Sequence, residues 1–180
     1  MWHAQTVISD RDLALTQDLV EETCRKSALV WLRPPSASHA VAAWHVFTDG
    51  AVHVVGGGRE QPLPALANGD LVEVTVRSKD TGGRLLRFTA TVTEVRPATP
   101  AWAAAVPELH AKRLNPPDGE EQPNRWARES TVLRLDLTGP VAESPGHLSQ
   151  RSHAAEPPPS PATTRGPLPF VLGRRATRRR

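Results

Sequence analysis

Ala40-Val41-Ala42-Ala43-Trp44-His45-Val46-Phe47-Thr48-Asp49-Gly50-Ala51-Val52-His53-Val54-Val55-Gly56-Gly57-Gly58-Arg59-Glu60-Gln61 is the stretch on which the fold turns. Two apolar runs flank Asp49-Gly50, a dipeptide suited to a type I′ turn, so residues 40–47 and 51–55 read as a hairpin. Both faces carry large groups: Trp44, Val46, His53 and Val55 on one, His45, Phe47, Val52 and Val54 on the other. A strand pair that is apolar on both sides is covered on both sides. In a small barrel one face fills the interior, and the other calls for a helix, a ligand or a second subunit; this favours a homodimer. The hairpin then runs into Gly56-Gly57-Gly58-Arg59. Glycines leaving a strand let the backbone approach a ligand closely, and the arginine beside them supplies a fixed charge, which is the chemistry of a phosphate site. The same residues also suit a flexible connection whose Arg59 points into water.

Working outward, residues 10–26 read as an opening helix and residues 28–33 as a strand stopped by Pro34-Pro35. Residues 71–79 and 84–96 alternate apolar and polar residues and form a longer hairpin. Matching its apolar faces pairs Val76 with Leu86 and Val74 with Phe88, with Gly82 at a left-handed position in the loop 80–82. Val95 then falls on the wrong face, so a bulge is expected near Thr93-Glu94. Residues 99–114 read as a helix containing Pro107, residues 115–124 as a proline-rich loop, and Arg125-Trp126 as a short turn. The last strand is 131–137, with Leu133, Leu135 and Leu137 inward. Six strands and two helices predict a mostly β fold with flanking helices, a small antiparallel split barrel over residues 8–139.

The charge is unevenly placed. Residues 1–139 hold 15 Lys/Arg against 17 Asp/Glu, whereas residues 140–180 hold 7 Arg against 2 Glu. The basic pI therefore belongs to the end of the chain, and nucleic-acid binding is not expected of the folded part. Residues 140–180, rich in Pro, Ser and Arg, read as a disordered basic tail. Its Arg-rich end could meet nucleic acid, acidic lipid or an acidic protein, or simply stay solvated. Cys24 is the sole cysteine and the first residues form no apolar leader, so a cytoplasmic, reducing location is expected, with no membrane span.

Metal and nucleophile chemistry find little support. The turn pairs His53 with Val46 and His45 with Val54, which points the two imidazoles to opposite faces, so no metal site is expected. No Gly-x-Ser-x-Gly elbow occurs, and Cys24 reads as a buried packing residue. Glu120-Glu121 read as solvated loop charges. Catalytic residues are not assigned.

The segment from Trp44 to Val54, the Gly56–Gln61 turn, a short helix bearing Leu66 and the strand 71–77 together resemble the flavin-binding split barrel of the pyridoxamine 5′-phosphate oxidase family, over about residues 25–96. The resemblance implies an FMN or deazaflavin cofactor, a homodimer and a small-molecule substrate for an oxidoreductase, since the flavin ring carries the redox chemistry. It places Arg59, with Gly57 and Gly58, on the cofactor phosphate and Gln61 beside it as a hydrogen-bond partner. Trp44 and His45 lie on the strand next to the ring; for Trp44, core packing is the competing role. Gln61 stands where the family has a lysine, and Pro62-Leu63-Pro64-Ala65-Leu66 replaces the usual Asn-Leu helix. A barrel of this kind without its cofactor, acting as a non-enzymatic binding or interaction module, is the alternative.

Overall fold

The computed structural model describes residues 10–151. Three helices, α1 (Asp10–Arg25), α2 (Pro100–Lys112) and α3 (Gln122–Glu129), accompany seven strands: β1 (Leu29–Arg33), β2 (Val41–Trp44), β3 (Val46–Thr48), β4 (Ala51–Gly56), β5 (Leu71–Arg77), β6 (Arg84–Glu94) and β7 (Thr131–Leu137). All strand pairs are antiparallel, in the order β2-β1-β5-β6-β7-β4-β3. The two edges, β2 and β3, are neighbours in the chain with His45 alone between them. Two residue steps reach at most roughly 7 Å, so the end of one edge must lie next to the start of the other. The sheet therefore curls into a nearly closed antiparallel barrel, the shape of a split barrel.

The hairpin at Asp49-Gly50 forms as its sequence dictates. Asp49 has φ 49° and Gly50 φ 70°, and Val46 pairs with His53. The expected single strand over residues 40–47 is instead two strands. Side-chain alternation continues unbroken through His45, but the backbone leaves β1 at Trp44 and joins β4 from Val46 on. Periodicity reports which face a residue takes and carries no information about which neighbour the backbone bonds.

Val76 pairs with Leu86 and Val74 with Phe88, as the apolar faces require. The bulge lies elsewhere than expected. The register shifts between Val76 and Arg77, with Leu85 as the extra residue, so the loop runs over residues 79–82 inside the Ser78 N–H to Gly83 carbonyl bond (2.8 Å). Gly82 keeps its left-handed φ of 68°. Near Thr93-Glu94 the β6–β7 register is regular through Glu94–Leu133. Val95 needs no bulge because the outer face at that end is itself covered.

Two apolar cores explain this. The barrel interior holds Val30, Leu32, Val74, Phe88, Val54 and Leu135, and α1 packs Val20 and Cys24 onto it. A second core lies outside the barrel, where Val46, Val55, Val95 and Val132 meet Val106 and Leu109 of α2 and Trp126 of α3. The hairpin is thus apolar on both faces, but its outer face is covered by the chain's own helices. A second subunit is not needed to cover that face. Helix α2 starts at an N-cap Thr99, whose hydroxyl accepts from Trp102 N–H (3.2 Å), and it runs on through Pro107. Helix α3 stands where a loop and turn are expected, because Trp126 is its only large apolar residue. The segment expected as a helix around Leu66 is not helical, because Pro62 and Pro64 remove amide donors and push the residues before them out of the helical region.

Packing also continues past Gly139, where the folded unit was expected to end. Glu143 is buried, bridges Arg87 by main-chain bonds, and meets the Arg87 guanidinium at 2.8 Å. Arg84 Nη2 donates to the Ser149 carbonyl. Glu73 extends the network, bound by Arg87 (3.2 Å) and Arg33 (2.9 Å). The remainder of the tail, residues 152–180, lies outside the described residues. A chain ending at Gly139 should lose about 1–2 kcal/mol, because half-buried Arg87 loses the buried Glu143 carboxylate and keeps only Glu73. A chain ending at Arg151 should unfold in urea with the midpoint of the full chain.

Candidate functional site

Strand β4 outruns β3. β3 pairs only with Ala51–His53, so the carbonyl of Val55 faces the split with no strand beside it. Gln61 fills the gap. Its Oε1 accepts from Trp44 N–H (2.7 Å), and its Nε2 donates to the carbonyls of Trp44 (3.0 Å) and Val55 (3.0 Å). One side-chain amide thus joins the end of β2 to β4 across the seam, in place of a ladder bond. Both Gln61 amide hydrogens are spent on backbone.

The residues before it are equally engaged. Gly57 and Gly58 have φ of 79° and 59°, and the turn closes with Glu60 N–H on the Gly57 carbonyl (3.0 Å) and Gly57 N–H on the Gln61 carbonyl (3.3 Å). The loop leans on the junction of α3 and β7. A Cβ on Gly58 would stand 3.0 Å from the Glu129 carbonyl oxygen and 3.1 Å from Ser130 Oγ, while Ser130 Oγ donates to the Gly57 carbonyl (3.3 Å). Glycine is required here by neighbouring chain. Arg59 projects outward, its side chain 68% exposed, with Asp118 Oδ1 at 3.8 Å from Nη1.

Glu60 turns inward. Its side chain is fully buried between α2 and α3. Oε1 accepts from Gln122 Nε2 (2.6 Å), Arg125 Nη2 (2.8 Å) and Trp126 Nε1 (3.0 Å); Oε2 accepts from Arg113 Nε (2.8 Å). Burial pushes its carboxyl upward, but the Trp126, Arg125 and Arg113 donors prevail and hold it below the usual carboxylate range. Arg125 Nε also donates to Asp118. Gln122, Arg125 and Trp126 stand at i, i+3 and i+4, so they share one face of α3. That spacing is the signal in the sequence, hidden because the buried face is polar.

Trp44 packs near Trp126, ring centroids 6.4 Å apart at 40°, and Trp126 meets His110 edge-on at 6.4 Å. His45 is fully buried at the crossing from β2 to β3, with Nε2 3.2 Å from the Cys24 carbonyl at the end of α1. His53 is buried beside Arg134. Burial, with Lys112 near His45 and Arg134 near His53, lowers each imidazole to about 4. The Gly57–Gly58–Arg59 loop and the Trp44–His45 strand end are joined through Gln61. The loop's one exposed charge is Arg59, while His45 belongs to the α1 side.

An open groove of about 600 Å³ lies on that side, between α1, the C-terminal turn of α2 and the β3–β4 turn. Val46, Phe47 and Cys24 line it with Lys112, Glu108 and the Glu21–Arg25 pair. Burial pushes the Cys24 thiol up to about 12. Burial also lowers Lys112, which has no ion-pair partner among the described residues. No group of three His, Cys, Asp or Glu residues suited to a metal occurs among the described residues, nor does any helix there have the length and apolarity to cross a membrane.

Replacing Gln61 by Lys should cost about 2–4 kcal/mol, because Trp44 N–H loses its acceptor and an ammonium enters the seam. Gln61→Glu should be destabilising as well, its carboxylate facing two carbonyls; urea unfolding reads both. The histidines set a pH dependence. The unfolded chain binds their protons near the ordinary value of 6.5 and the folded chain only near 4. Stability should be full above that ordinary value and fall as the pH drops toward 4, by roughly 2–3 kcal/mol per histidine. Urea midpoints measured along that range should fall less steeply for His53→Leu.

No family model matches the sequence, and no curated protein sequence matches it. Among solved structures, the chain is similar to HutZ, the heme storage protein from Vibrio cholerae, at 14% identity and a TM-score of 0.48, over 70% of this chain and 92% of that one. It is also similar to a putative general stress family protein from Xanthomonas campestris pv. campestris, at 14% identity and a TM-score of 0.44, over 71% of this chain and 84% of that one.

Proposed function

We propose that this split barrel is a non-enzymatic binding module whose ligand lies in the groove between α1, α2 and the β3–β4 turn, and that the Gly56–Gln61 segment serves to close the barrel. The commitment of Gln61 to Trp44 and Val55 carries this reading. The residue at the position of the family's phosphate lysine is a seam bond here, and the glycines beside it are fitted to Glu129 and Ser130. The groove has the volume of a small-molecule site and a mixed, mainly polar lining, with Val46, Phe47 and Cys24 beside Glu21, Arg25, Glu108 and Lys112. Its titrating groups favour holding over reacting: the Cys24 thiol stays protonated at neutral pH, and buried His45 stays neutral. A small amphipathic molecule with a charged end suits this lining.

The second reading is an oxidoreductase holding FMN or a deazaflavin. It is favoured by Arg59, whose exposed guanidinium is only loosely held by Asp118 and is available to a phosphate. In that reading a homodimer supplies the second wall of the cofactor site, and Trp44 packs behind it.

Flavin binding separates the two. Freshly purified protein should show no flavin absorption bands, and FMN titration followed by flavin fluorescence should give no saturable quenching at micromolar protein. Saturable quenching that weakens roughly ten- to hundredfold in Arg59→Ala would establish the flavin reading in its place.

A further inference from the structure

Glu60 reaches its burial site from an unusual direction. Gly57, Gly58 and Arg59 are exposed, yet the next side chain is fully enclosed. The carboxylate therefore enters a receptor on α2 and α3 from a surface loop. The receptor itself is made without any residue of that loop: Arg113 from the end of α2, and Gln122, Arg125 and Trp126 from one face of α3. Two guanidinium groups, an indole N–H and an amide N–H converge on one oxyanion, a donor set that binds carboxylate or phosphate wherever it occurs.

Its capacity exceeds what Glu60 uses. Arg125 Nη1 is buried without a hydrogen-bond partner. Three donors crowd onto Oε1 while Oε2 takes one. A guanidinium with a spare buried N–H fits an oxyanion that offers more lone pairs than a carboxylate on a short tether does. Apart from the Glu60 carboxylate itself, residues 57–59 of that loop are held by two main-chain turn bonds, the Ser130 contact and the long Arg59–Asp118 pair, and the loop contains two glycines in left-handed conformation.

We propose that the Arg113–Gln122–Arg125–Trp126 receptor is an oxyanion-binding site that Glu60 fills as an internal ligand, and that a small carboxylate or phosphate from solution exchanges with it as the 57–60 loop swings out. Arg59 rides on the same loop and, in the closed state, stands beside Asp118, where it would meet the incoming anion first. This site is separate from the α1–α2 groove, so the proposal stands apart from the groove reading.

The test has two arms, each with sodium chloride at matched ionic strength as control. In Glu60→Ala the receptor is empty, and sodium acetate or inorganic phosphate should raise its melting temperature saturably by several degrees. Whichever anion acts at the lower concentration assigns the class. If Glu60→Ala does not fold alone, it should refold in acetate and not in chloride; Glu60→Asp, one methylene short, should show the same anion response more weakly. In the full wild-type chain, the same anions should change tryptophan emission saturably, and Trp126→Phe should abolish the change. Acetate and phosphate acting no differently from chloride on Glu60→Ala would overturn the receptor. A response in Glu60→Ala with none in wild type would overturn the exchange, leaving Glu60 a fixed ion pair.

Discussion

Everything in this fold is arranged around one seam. The sheet begins and ends on strands that are neighbours in sequence, so the barrel closes by a single residue of chain instead of by a ladder of hydrogen bonds. A closure of that kind leaves main-chain groups facing each other across a gap too irregular for strand pairing. Buried donors and acceptors without partners cost of the order of 1–3 kcal/mol each. Gln61 meets three of them at once, and it does so because the preceding glycine turn brings its side chain back along β4. Glu60, one residue earlier, pins the same turn to α2 and α3. Seam, turn and outer helices therefore form one cooperative unit, in which loss of either side chain loosens the other's anchor.

The sequence disclosed the parts of the fold governed by side-chain periodicity. The Val74–Phe88 and Val76–Leu86 register followed from apolar matching, and the Asp49-Gly50 turn from backbone preference. The break of the 40–47 strand did not follow, because alternation is conserved across it. The position of Val95 misled for a related reason: it obeys the pleat, and what differs is the cover supplied by α2. Helix α3 was missed because its buried face is Gln122, Arg125 and Trp126, a pattern that looks solvated until a buried carboxylate is found opposite.

The candidate site shows the same division. The Gly56–Gln61 segment suits either a phosphate site or a flexible connection by its sequence, and in the fold Gly57, Gly58, Glu60 and Gln61 each have a definite structural task. Arg59 alone keeps its charge at the surface, loosely paired with Asp118. A motif read for its glycines and its arginine carries its most consequential interactions on the two residues after them. Glu60 and Gln61 contact residues up to 66 positions away. Contacts of that span lie beyond any local pattern.

The short edges also govern how the protein meets other chains in a crowded solution. An open antiparallel edge offers unpaired main-chain groups to any extended segment and so invites intermolecular strand addition. Here the edges are four and three residues long, they follow one another through His45, and the amide and carbonyl of Trp44 are already occupied by Gln61. The device that closes the barrel from within thus also guards it against sheet growth from without.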